Sequence, residues 1–308
     1  MRFSVATPMV EKQTVPVTVG IPTWARGEKV LAVLEHVSAC DPRPAEAIVH
    51  IDEPDGRLER ALATRFPAVK ILTSPHRVGP GGGRHRCLLA ATQPVFVSFD
   101  DDSRPLDDDF FADVMALFAA QPDTALLAAT IIHPWETAAP KSAASEAAVE
   151  FTGCGWAVRR DRYLACPGFV DRPFAYGIEE MDLGLQFLAA GFVIRRTGRL
   201  RVFHDTTLSH HRNPRQTASA IQNVALLAWL RYPFLLAGRA LLQVANMAVD
   251  QARRGRWRGI PAGLAGIPGV LWRFRRLRRP YAAVAVRAFL ARRKIPVTAA
   301  PAWREVRA

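Results

Sequence analysis

A largely apolar run, Val95–Phe99, ends in three consecutive aspartates, Asp100, Asp101 and Asp102, and this pattern limits the folds open to the chain. Such a run is typical of a strand buried in a sheet that is covered on both faces, and open α/β sheets bind ligands beyond the carboxyl ends of their strands. Because side chains alternate along extended backbone, we expect Asp100 and Asp102 to point one way and Asp101 the other. Two carboxylates on one side suit a hard divalent cation, while an acidic turn that caps the next helix is the alternative interpretation.

Strand and helix patterns alternate on both sides of this run. The predicted strands cover residues 15–21, 47–51, 69–73, 95–99 and 125–132, and the predicted helices cover residues 28–37, 58–65 and 108–120. Alternation at this spacing indicates βαβ units and a mostly parallel sheet. Residues 133–150 are predicted to be a loop that borders a substrate cleft, and residues 151–158 are predicted to resume extended structure.

A glycine-rich segment, Gly79–Arg84, lies between the third predicted strand and the helix that leads into the aspartate strand. We expect it to be a loop that, with the N-terminus of the following helix, binds phosphate. A tight turn without a ligand is the alternative. The segment is not the dinucleotide-binding fingerprint, because that pattern requires glycine at the position of Arg84.

Further candidate site residues lie in the second half of the chain. Glu179, Glu180 and Asp182 open a predicted helix, where they either complement the helix dipole or supply a general base at the same crevice. Trp156 lies in the glycine-bearing extended segment, where it either stacks on a sugar ring or fills the core. His204 ends a predicted strand, and its imidazole could complete a metal site begun by two carboxylates.

Charge is distributed unevenly along the 308 residues. The net charge is +13, and residues 251–308 hold 15 Lys or Arg side chains against one acid, Glu305. We therefore expect a near-neutral domain with a basic C-terminal appendage. Such an appendage suggests an anionic partner, either lipid headgroups or nucleic acid, and a solvated helical face is the structural alternative.

Composition excludes several other classes of protein. A hydrophobic fraction of 49% with 22% charged residues argues against disorder. Four scattered cysteines without a CxxC pair predict reduced thiols in the core or lining a site, not a disulfide framework or a zinc site. No secretory signal and no long uncharged apolar span is recognisable, so a cytoplasmic protein without a transmembrane helix is expected.

In their order along the chain, these motifs resemble glycosyltransferase family 2, the inverting nucleotide-sugar transferases of GT-A fold, over roughly residues 15–215. The likeness rests on the first strand and turn at Val17–Arg26, the glycine segment with Arg84, the aspartates as a DxD signature, and an ED-x-D-L-like helix at Glu179–Leu183. The resemblance implies an α/β fold of GT-A type, with a Rossmann-like mixed, mostly parallel sheet, helices on both faces and a C-terminal helical basic extension.

The same resemblance implies a role for each candidate residue. The implied donor-nucleotide contacts are Pro22, Thr23, Arg26, Asp52, Gly81, Arg84, Asp100 and Asp101; the implied ligands of Mg²⁺ or Mn²⁺ are Asp100, Asp102 and His204; the implied acceptor contacts are Trp156 and Glu179; and the implied catalytic residues are Glu180 and Asp182. The domain division that follows is a catalytic domain at residues 1–215 and a helical, basic region at residues 216–308.

Two positions depart from the family pattern. Glu180 stands where the family usually has its catalytic aspartate, which leaves the general base open between Glu180 and Asp182. Gln186 stands where an arginine is often found, so no contact is carried over through that position.

The implied function is metal-dependent, inverting transfer of a sugar from a nucleoside-diphosphate sugar to a saccharide or lipid-linked saccharide, as in rhamnosyltransferase-like enzymes of bacterial cell-surface polysaccharide synthesis. We expect residues 221–294 to dock on an anionic membrane, on the inner face of the cytoplasmic membrane, through an apolar helix pattern over residues 221–249 and interleaved aromatic and basic residues after it. Nucleic acid is not an expected partner. The alternatives are a metal-dependent sugar nucleotidyltransferase and a nucleic-acid-binding protein that uses the basic tail.

Overall fold

The computed structural model describes residues 13–174, 178–206 and 213–293. In these ranges the strands are β1 (Thr14–Thr23), β2 (Arg43–Asp52), β3 (Lys70–Ser74), β4 (Val95–Phe99), β5 (Ser103–Pro105), β6 (Thr124–Ile132), β7 (Ser145–Ala148), β8 (Gly155–Arg159) and β9 (Val193–His204). The α-helices are α1 (Gly27–Ala39), α2 (Arg57–Arg65), α3 (Gly79–Ala90), α4 (Phe110–Ala120), α5 (Arg160–Leu164), α6 (Glu179–Ala189), α7 (Pro214–Arg231), α8 (Ala237–Arg253), α9 (Ile260–Ala265), α10 (Ile267–Arg273) and α11 (Ala283–Arg292).

The strands form one mixed sheet in the order β3-β2-β1-β4-β8-β6-β9-β5, and β7 also pairs with β9. Strands β1 to β4 are parallel to one another. Strand β8 is antiparallel to both β4 and β6, and β9 is parallel to β6, so β6 and β9 run in the same direction as β1 to β4. Six of the nine strands described therefore end at one edge of the sheet. The predicted α/β class with a mostly parallel sheet is confirmed.

Helices cover both faces of the sheet, as alternating side chains of β4 demonstrate. Val97 belongs to an apolar cluster that includes Phe111 of α4. Phe96, the preceding residue, belongs to a second cluster with Leu88 of α3 and Leu183 of α6. The predicted burial of this strand on both sides is confirmed, because all five of its residues are buried.

The glycine-rich segment is helical, and its prediction as a loop is wrong. Helix α3 begins at Gly79, where φ is 75°, and the following glycines lie inside the helix. A Cβ on Gly81 would lie 2.6 Å from Cγ of Glu179, and a Cβ on Gly83 would lie 2.8 Å from Cβ of Pro22. The glycines therefore allow α3 to approach α6 and β1 closely.

Three other segments differ from the predictions. Residues 133–150, predicted as a loop, contain the short strand β7, and the predicted strand that ends at His204 is a long one, β9, which begins at Val193. The apolar helix pattern over residues 221–249 is divided at Pro233 into α7 and α8, since proline lacks an N–H and its ring blocks a continuous helix.

The C-terminal helices pack beside α6. Leu226 and Leu230 of α7 share an apolar cluster with Phe274, and Phe289 of α11 shares another with Leu185 of α6. Beyond Arg253 the basic segments form short helices and 3₁₀ turns. In the ranges given above, no helix combines the length and the apolar character needed to cross a bilayer.

Candidate active site

A cavity of about 570 Å³ opens at the edge of the sheet where the parallel strands end. Its walls come from the ends of β1, β2, β4 and β9, from the segment that enters β8, and from the first turns of α3 and α6. Parallel strands bring their carboxyl ends to one edge, so residues far apart in the chain meet there. Most of the predicted site residues line this cavity: Pro22, Thr23, Arg26, Asp52, Arg84, Asp100, Asp101, Asp102, Glu179, Glu180 and His204.

The aspartate triplet does not continue the alternation of β4. The chain turns after Phe99, with the Ser103 N–H donating to the Asp100 carbonyl at 3.1 Å. One nitrogen of Arg26 therefore contacts both Asp101, at 3.2 Å, and Asp102, at 2.7 Å. The prediction that Asp101 points away from Asp102 is wrong, because the strand geometry on which it depends has already ended.

Asp101 is held by the turn after β1. The Thr23 hydroxyl donates to its carboxylate at 2.8 Å, and Arg26 contacts the other oxygen. Burial raises the pKa of Asp101 to about 6, although Arg26 and Thr23 act in the opposite direction. Asp101 thus links the β1 turn to the end of β4.

Asp100, Cys154 and His204 form a cluster in which the possible ligand atoms all lie within 4.8 Å of one another. His204 Nε2 is also 3.2 Å from an Asp102 oxygen. Burial raises the pKa of the Cys154 thiol well above its usual value, which keeps the soft sulfur protonated. The remaining carboxylate oxygens and imidazole nitrogen suit Mg²⁺ or Mn²⁺, so the predicted ligands Asp100, Asp102 and His204 fit such an ion.

His204 responds to two opposing effects. Burial alone lowers the pKa of its imidazole, but the hydrogen bond to Asp102 and the charges of Asp100 and Asp102 raise it overall. A cation bound by the same ring would have to compete with the proton.

Arg84 lies at the base of the cavity with its side chain buried. Its Nε donates to the Ser98 hydroxyl at 3.2 Å, and Nη2 forms an ion pair with Asp100. Burial lowers the pKa of the guanidinium, and the charges of Asp100, Glu180 and Glu179 more than reverse that effect. Arg84 therefore stabilises three carboxylates that would otherwise repel one another.

Glu179 and Glu180 are the first two residues of α6 and both line the cavity. A Cβ on Gly153 would clash with the Glu180 carboxylate, so the glycine leaves the space that this carboxylate occupies. Burial raises the pKa of both glutamates; the charge of Glu179 raises that of Glu180 further, while Arg84 opposes the shift. A carboxyl group with a raised pKa suits proton transfer near neutral pH.

Three predicted roles are contradicted by where the residues lie. Asp182 is buried outside the cavity in a two-bond ion pair with Arg231, at 2.5 and 2.9 Å, so it is not available as a base. Trp156 is completely buried and packs against Phe96, so it cannot contact an acceptor. Gly81 is buried inside α3 against Glu179 and does not line the cavity, so it is not positioned to bind the donor.

Asp52 also has a structural role. Its carboxylate accepts the backbone N–H of Val78, at 3.2 Å, and of Gly79, at 3.0 Å, which satisfies donors at the start of α3. It nevertheless lines the cavity, where it keeps acceptor capacity for a ligand.

Trp24 and Arg77 are among the cavity residues that the sequence reasoning missed. The Arg77 guanidinium lies 3.7 Å from the centroid of the Trp24 ring, and the Trp24 indole donates to Glu53 at 2.8 Å. Ala25 and Glu53 beside them have positive φ, at 56° and 52°, which non-glycine residues rarely adopt. The signal available in the sequence was an aromatic residue in the turn after the first strand.

Comparison with known proteins supports the assignment of the fold. The family model Glycosyl transferase family 2 matches residues 18–163. The structure of GalNAc-T7 with UDP, GalNAc and Mn²⁺ has a TM-score of 0.57 at 13% identity, covering 70% of this chain and 48% of that one. The mannosyltransferase PcManGT from Pyrobaculum calidifontis, in complex with GDP-Man and Mn²⁺, has a TM-score of 0.56 at 15% identity, covering 90% and 78%.

A structure of TarS from S. aureus has a TM-score of 0.53 at 14% identity, covering 69% of this chain and 64% of that one. The chain spans about half the length of the GalNAc-T7 structure described above. No curated protein sequence matches the chain significantly. At these identities the structural matches show that the fold is of GT-A type.

Proposed function

We propose that this chain, whose residues 18–163 match the model Glycosyl transferase family 2, is a glycosyltransferase that moves a sugar, with inversion, from a nucleoside-diphosphate donor to a saccharide hydroxyl. The observation that carries the proposal is the presence in one cavity of Asp100, Asp102, His204 and the Glu180 carboxylate. A diphosphate donor needs a site that neutralises its phosphates, and an acceptor hydroxyl needs a base. The cavity offers residues for both.

Two arginines support binding of the diphosphate. Arg26 is half exposed beside Asp101 and Asp102, and Arg84 is buried beside Asp100. Hydrogen bonds from guanidinium groups to phosphate oxygens are among the strong ones. The similar structures of GalNAc-T7 and PcManGT contain UDP and GDP-Man respectively, together with Mn²⁺, which favours a nucleoside-diphosphate donor here as well.

The nucleoside end of the donor is assigned to the β2 side of the cavity, where Asp52 would accept hydrogen bonds from the base or ribose. Asp100, Asp102 and His204 would hold Mg²⁺ or Mn²⁺, which when bound offsets the negative charge that develops on the leaving diphosphate. Asp101 keeps the β1 turn and Arg26 in place beside this cluster.

Glu180 is the proposed general base. Its carboxylate takes the proton of the acceptor hydroxyl as that oxygen bonds to the anomeric carbon, and the bond from the carbon to the diphosphate oxygen breaks on the opposite face, so the configuration inverts. The raised pKa of Glu180 and its position in the cavity support this role. Asp182 is unsuitable as the general base because both of its carboxylate oxygens accept hydrogen bonds from Arg231.

Calorimetric titration of the full chain with uridine, thymidine and guanosine diphosphates, with and without Mn²⁺, tests the proposal. We expect one nucleotide to bind in a Mn²⁺-dependent manner, and this binding to be lost in Asp102→Ala. Asp109→Ala is the control, because Asp109 is an exposed aspartate outside the cavity whose partner is Lys141. If no diphosphate binds to the wild-type protein with Mn²⁺ present, the proposed function is wrong.

We also propose that the C-terminal region docks the enzyme on an anionic membrane, at the inner face of the cytoplasmic membrane, where a lipid-linked acceptor would be presented. Helix α8 supports this, because Leu241, Leu242, Ala245 and Val249 form an exposed apolar stripe at helical spacing. Leu241 is 72% exposed. Such a stripe is typical of a helix that lies in a bilayer interface.

Charge near this stripe favours lipid over another protein as its partner. Residues 251–293 contain twelve arginines and no acidic residue. The indoles of Trp257 and Trp272 are exposed among these arginines, and tryptophan is favoured at membrane interfaces. Each basic residue near an anionic bilayer contributes about 1 kcal/mol of binding free energy.

Flotation with liposomes separates the membrane proposal from its alternatives. We expect the protein to float with phosphatidylglycerol-containing vesicles at low salt and to stay in the soluble fraction with pure phosphatidylcholine. Failure to float with the anionic vesicles would contradict the proposal. Dimer formation in sedimentation experiments without flotation would assign the stripe to self-association instead.

A further inference from the structure

The turn that follows β6 holds an exposed tryptophan against a neighbouring ring. The Glu136 carboxylate accepts the backbone N–H of His133 at 2.9 Å and lies 3.1 Å from its ring nitrogen Nδ1. The Glu136 N–H in turn donates to the His133 carbonyl at 3.0 Å. The Trp135 indole is stacked on the His133 imidazole, with ring centroids 4.8 Å apart and planes inclined by 15°. One face of the indole is therefore fixed against the protein.

The other face of Trp135 is accessible. The side chain is 51% exposed although one of its two faces lies against His133. Large exposed aromatic rings that are immobilised by their neighbours are common in binding sites, because they offer a wide apolar surface with little conformational entropy to lose. Trp135 is exposed and so does not fill the core, and none of the proton transfers proposed above involves it.

The position of the turn places Trp135 at the rim of the cavity. Ile132 of β6 is in register with Phe203 of β9, so the residues that follow, His133 and His204, are neighbours. Their ring centroids are 5.5 Å apart, and His204 lines the cavity. Trp135 is thus separated from the cavity wall by one imidazole ring.

Sheet order assigns this rim to the acceptor side. Asp52, proposed to bind the nucleoside, ends β2, whereas His133 follows β6. In the sheet, β2 and β6 lie on opposite sides of β4, whose end carries the aspartates. A donor that extends from Asp52 to the aspartates therefore leaves the β6 side of the cavity for the molecule that receives the sugar.

We infer that Trp135 is a stacking platform for a sugar ring of the acceptor, an inference that rests on the proposed glycosyltransferase function. Sugar rings have an apolar C–H face that packs on a flat aromatic ring and hydroxyl edges that bond to polar neighbours, and the Glu136 carboxylate beside the indole is such a neighbour. Glu180 lines the cavity and Trp135 lies outside its wall, so the ring on Trp135 is taken to be a different sugar unit from the one whose hydroxyl reacts. Trp135 is then a binding residue that positions the acceptor, not a catalytic one.

Saturation-transfer NMR tests the platform without relying on turnover. The probes are lactose, maltose and cellobiose, and octyl β-glucoside below its micelle concentration, each added to the protein with Mn²⁺ and the nucleoside diphosphate that binds. We expect saturation of sugar-ring protons in the wild-type protein, at least a fivefold loss in Trp135→Ala, and retention in Trp135→Phe. Leu164→Ala is the control, because Leu164 is also a large exposed apolar residue but belongs to α5.

The possible outcomes separate this inference from the proposed function. If the wild-type protein binds a nucleoside diphosphate with Mn²⁺ but shows no saturation of any sugar ring, or if Trp135→Ala leaves the signal unchanged, the platform is wrong and the transferase proposal stands. Saturation of octyl protons alone would assign Trp135 to a lipid chain instead of a saccharide and would also overturn the inference.

In a transfer assay with a probe that binds, Trp135→Ala should raise the acceptor KM at least tenfold and leave the donor KM and donor hydrolysis unchanged.

Discussion

The strand-end cavity and the C-terminal helices depart from the usual distribution of side chains in opposite directions. In the cavity, charged groups that normally face water are buried, among them Arg84, Asp101 and Glu179. On α8 and the turn before it, apolar groups that normally lie inside are exposed, among them Phe234 and Leu241. Because each arrangement costs free energy in the unliganded protein, each indicates a surface that a ligand completes. The two ligands proposed above differ in kind: a charged diphosphate for the first region, an apolar and anionic bilayer for the second.

Charged groups in the first region depend on one another, whereas apolar groups in the second are nearly independent. The single guanidinium of Arg84 interacts with three carboxylates, those of Asp100, Glu179 and Glu180. Leu241 and Leu242, by contrast, are surrounded mainly by solvent. Substitutions in the cavity are therefore expected to have large effects on chemistry, and substitutions on α8 small effects on folding.

The largest expected effect is on catalysis at Glu180. Glu180→Gln removes the proposed base without changing its size, so we expect turnover to fall about 10²–10⁴-fold while donor binding is kept. Steady-state transfer rates and calorimetry measure the two quantities. Glu180→Asp is the matched control, because it keeps the carboxylate and shortens its reach by one methylene, and it should retain more activity. Near-normal turnover in Glu180→Gln would show that another group is the base, with Glu179 the next candidate in the cavity.

A second large effect is expected two residues away, on stability instead of chemistry. Asp182→Asn leaves the buried Arg231 guanidinium without its counter-charge, so the free energy of unfolding should fall by about 3–5 kcal/mol. Urea denaturation measures this change. Asp250→Asn, which breaks the exposed pair with Arg254, is the control and should change stability by less than about 1 kcal/mol. Equal stability of the two variants would mean that the buried pair is dispensable.

The contrast between Glu180 and Asp182 also marks the limit of the sequence analysis. Apolar periodicity and the motif order were sufficient for the α/β sheet, the burial of Val95–Phe99 and the meeting of strand ends at one cavity. They could not separate two carboxylates on the first turn of α6, because that choice depends on Arg231, whose position follows from packing of α7 against α6.

Two further errors have the same origin in tertiary packing. Glycines typical of a phosphate loop instead allow close helix packing, as the contact of Gly81 with Glu179 demonstrates. A tryptophan typical of a sugar site, Trp156, fills the core, while Trp135 is exposed. The exposed residue could not be chosen from the sequence because exposure depends on which strands neighbour each other in the sheet.

A moderate effect is expected from pH through His50, which is buried at the end of β2. Burial, with the charge of Arg86, lowers the pKa of His50 to about 4. The unfolded chain binds a proton at this residue near pH 6.5 and the folded chain does so only near pH 4, so the free energy of unfolding falls as the pH drops between these values. From pH 7 to pH 5 this contribution amounts to about 2 kcal/mol.

Urea denaturation of the wild-type protein and of His50→Gln at both pH values isolates the contribution. The variant has a side chain that does not titrate, so its stability should depend on pH less than that of the wild type by about 2 kcal/mol. An identical pH dependence of the two proteins would show that His50 is protonated as easily in the folded state as in the unfolded state.

The smallest effect on folding, with a large effect on location, is expected on α8. Leu241→Ala and Leu242→Ala remove side chains that contact mostly solvent, so each should change the free energy of unfolding by less than about 0.5 kcal/mol. Leu185→Ala on α6, which removes a fully buried leucine, is the matched comparison and should cost about 2–5 kcal/mol. In liposome flotation we expect the opposite ranking: the α8 variants should lose more flotation than Leu185→Ala, because only the α8 side chains would enter the bilayer. If the α8 variants float as well as the wild type, the membrane is not the partner of the stripe. If they are as unstable as Leu185→Ala, the stripe is part of the folded core.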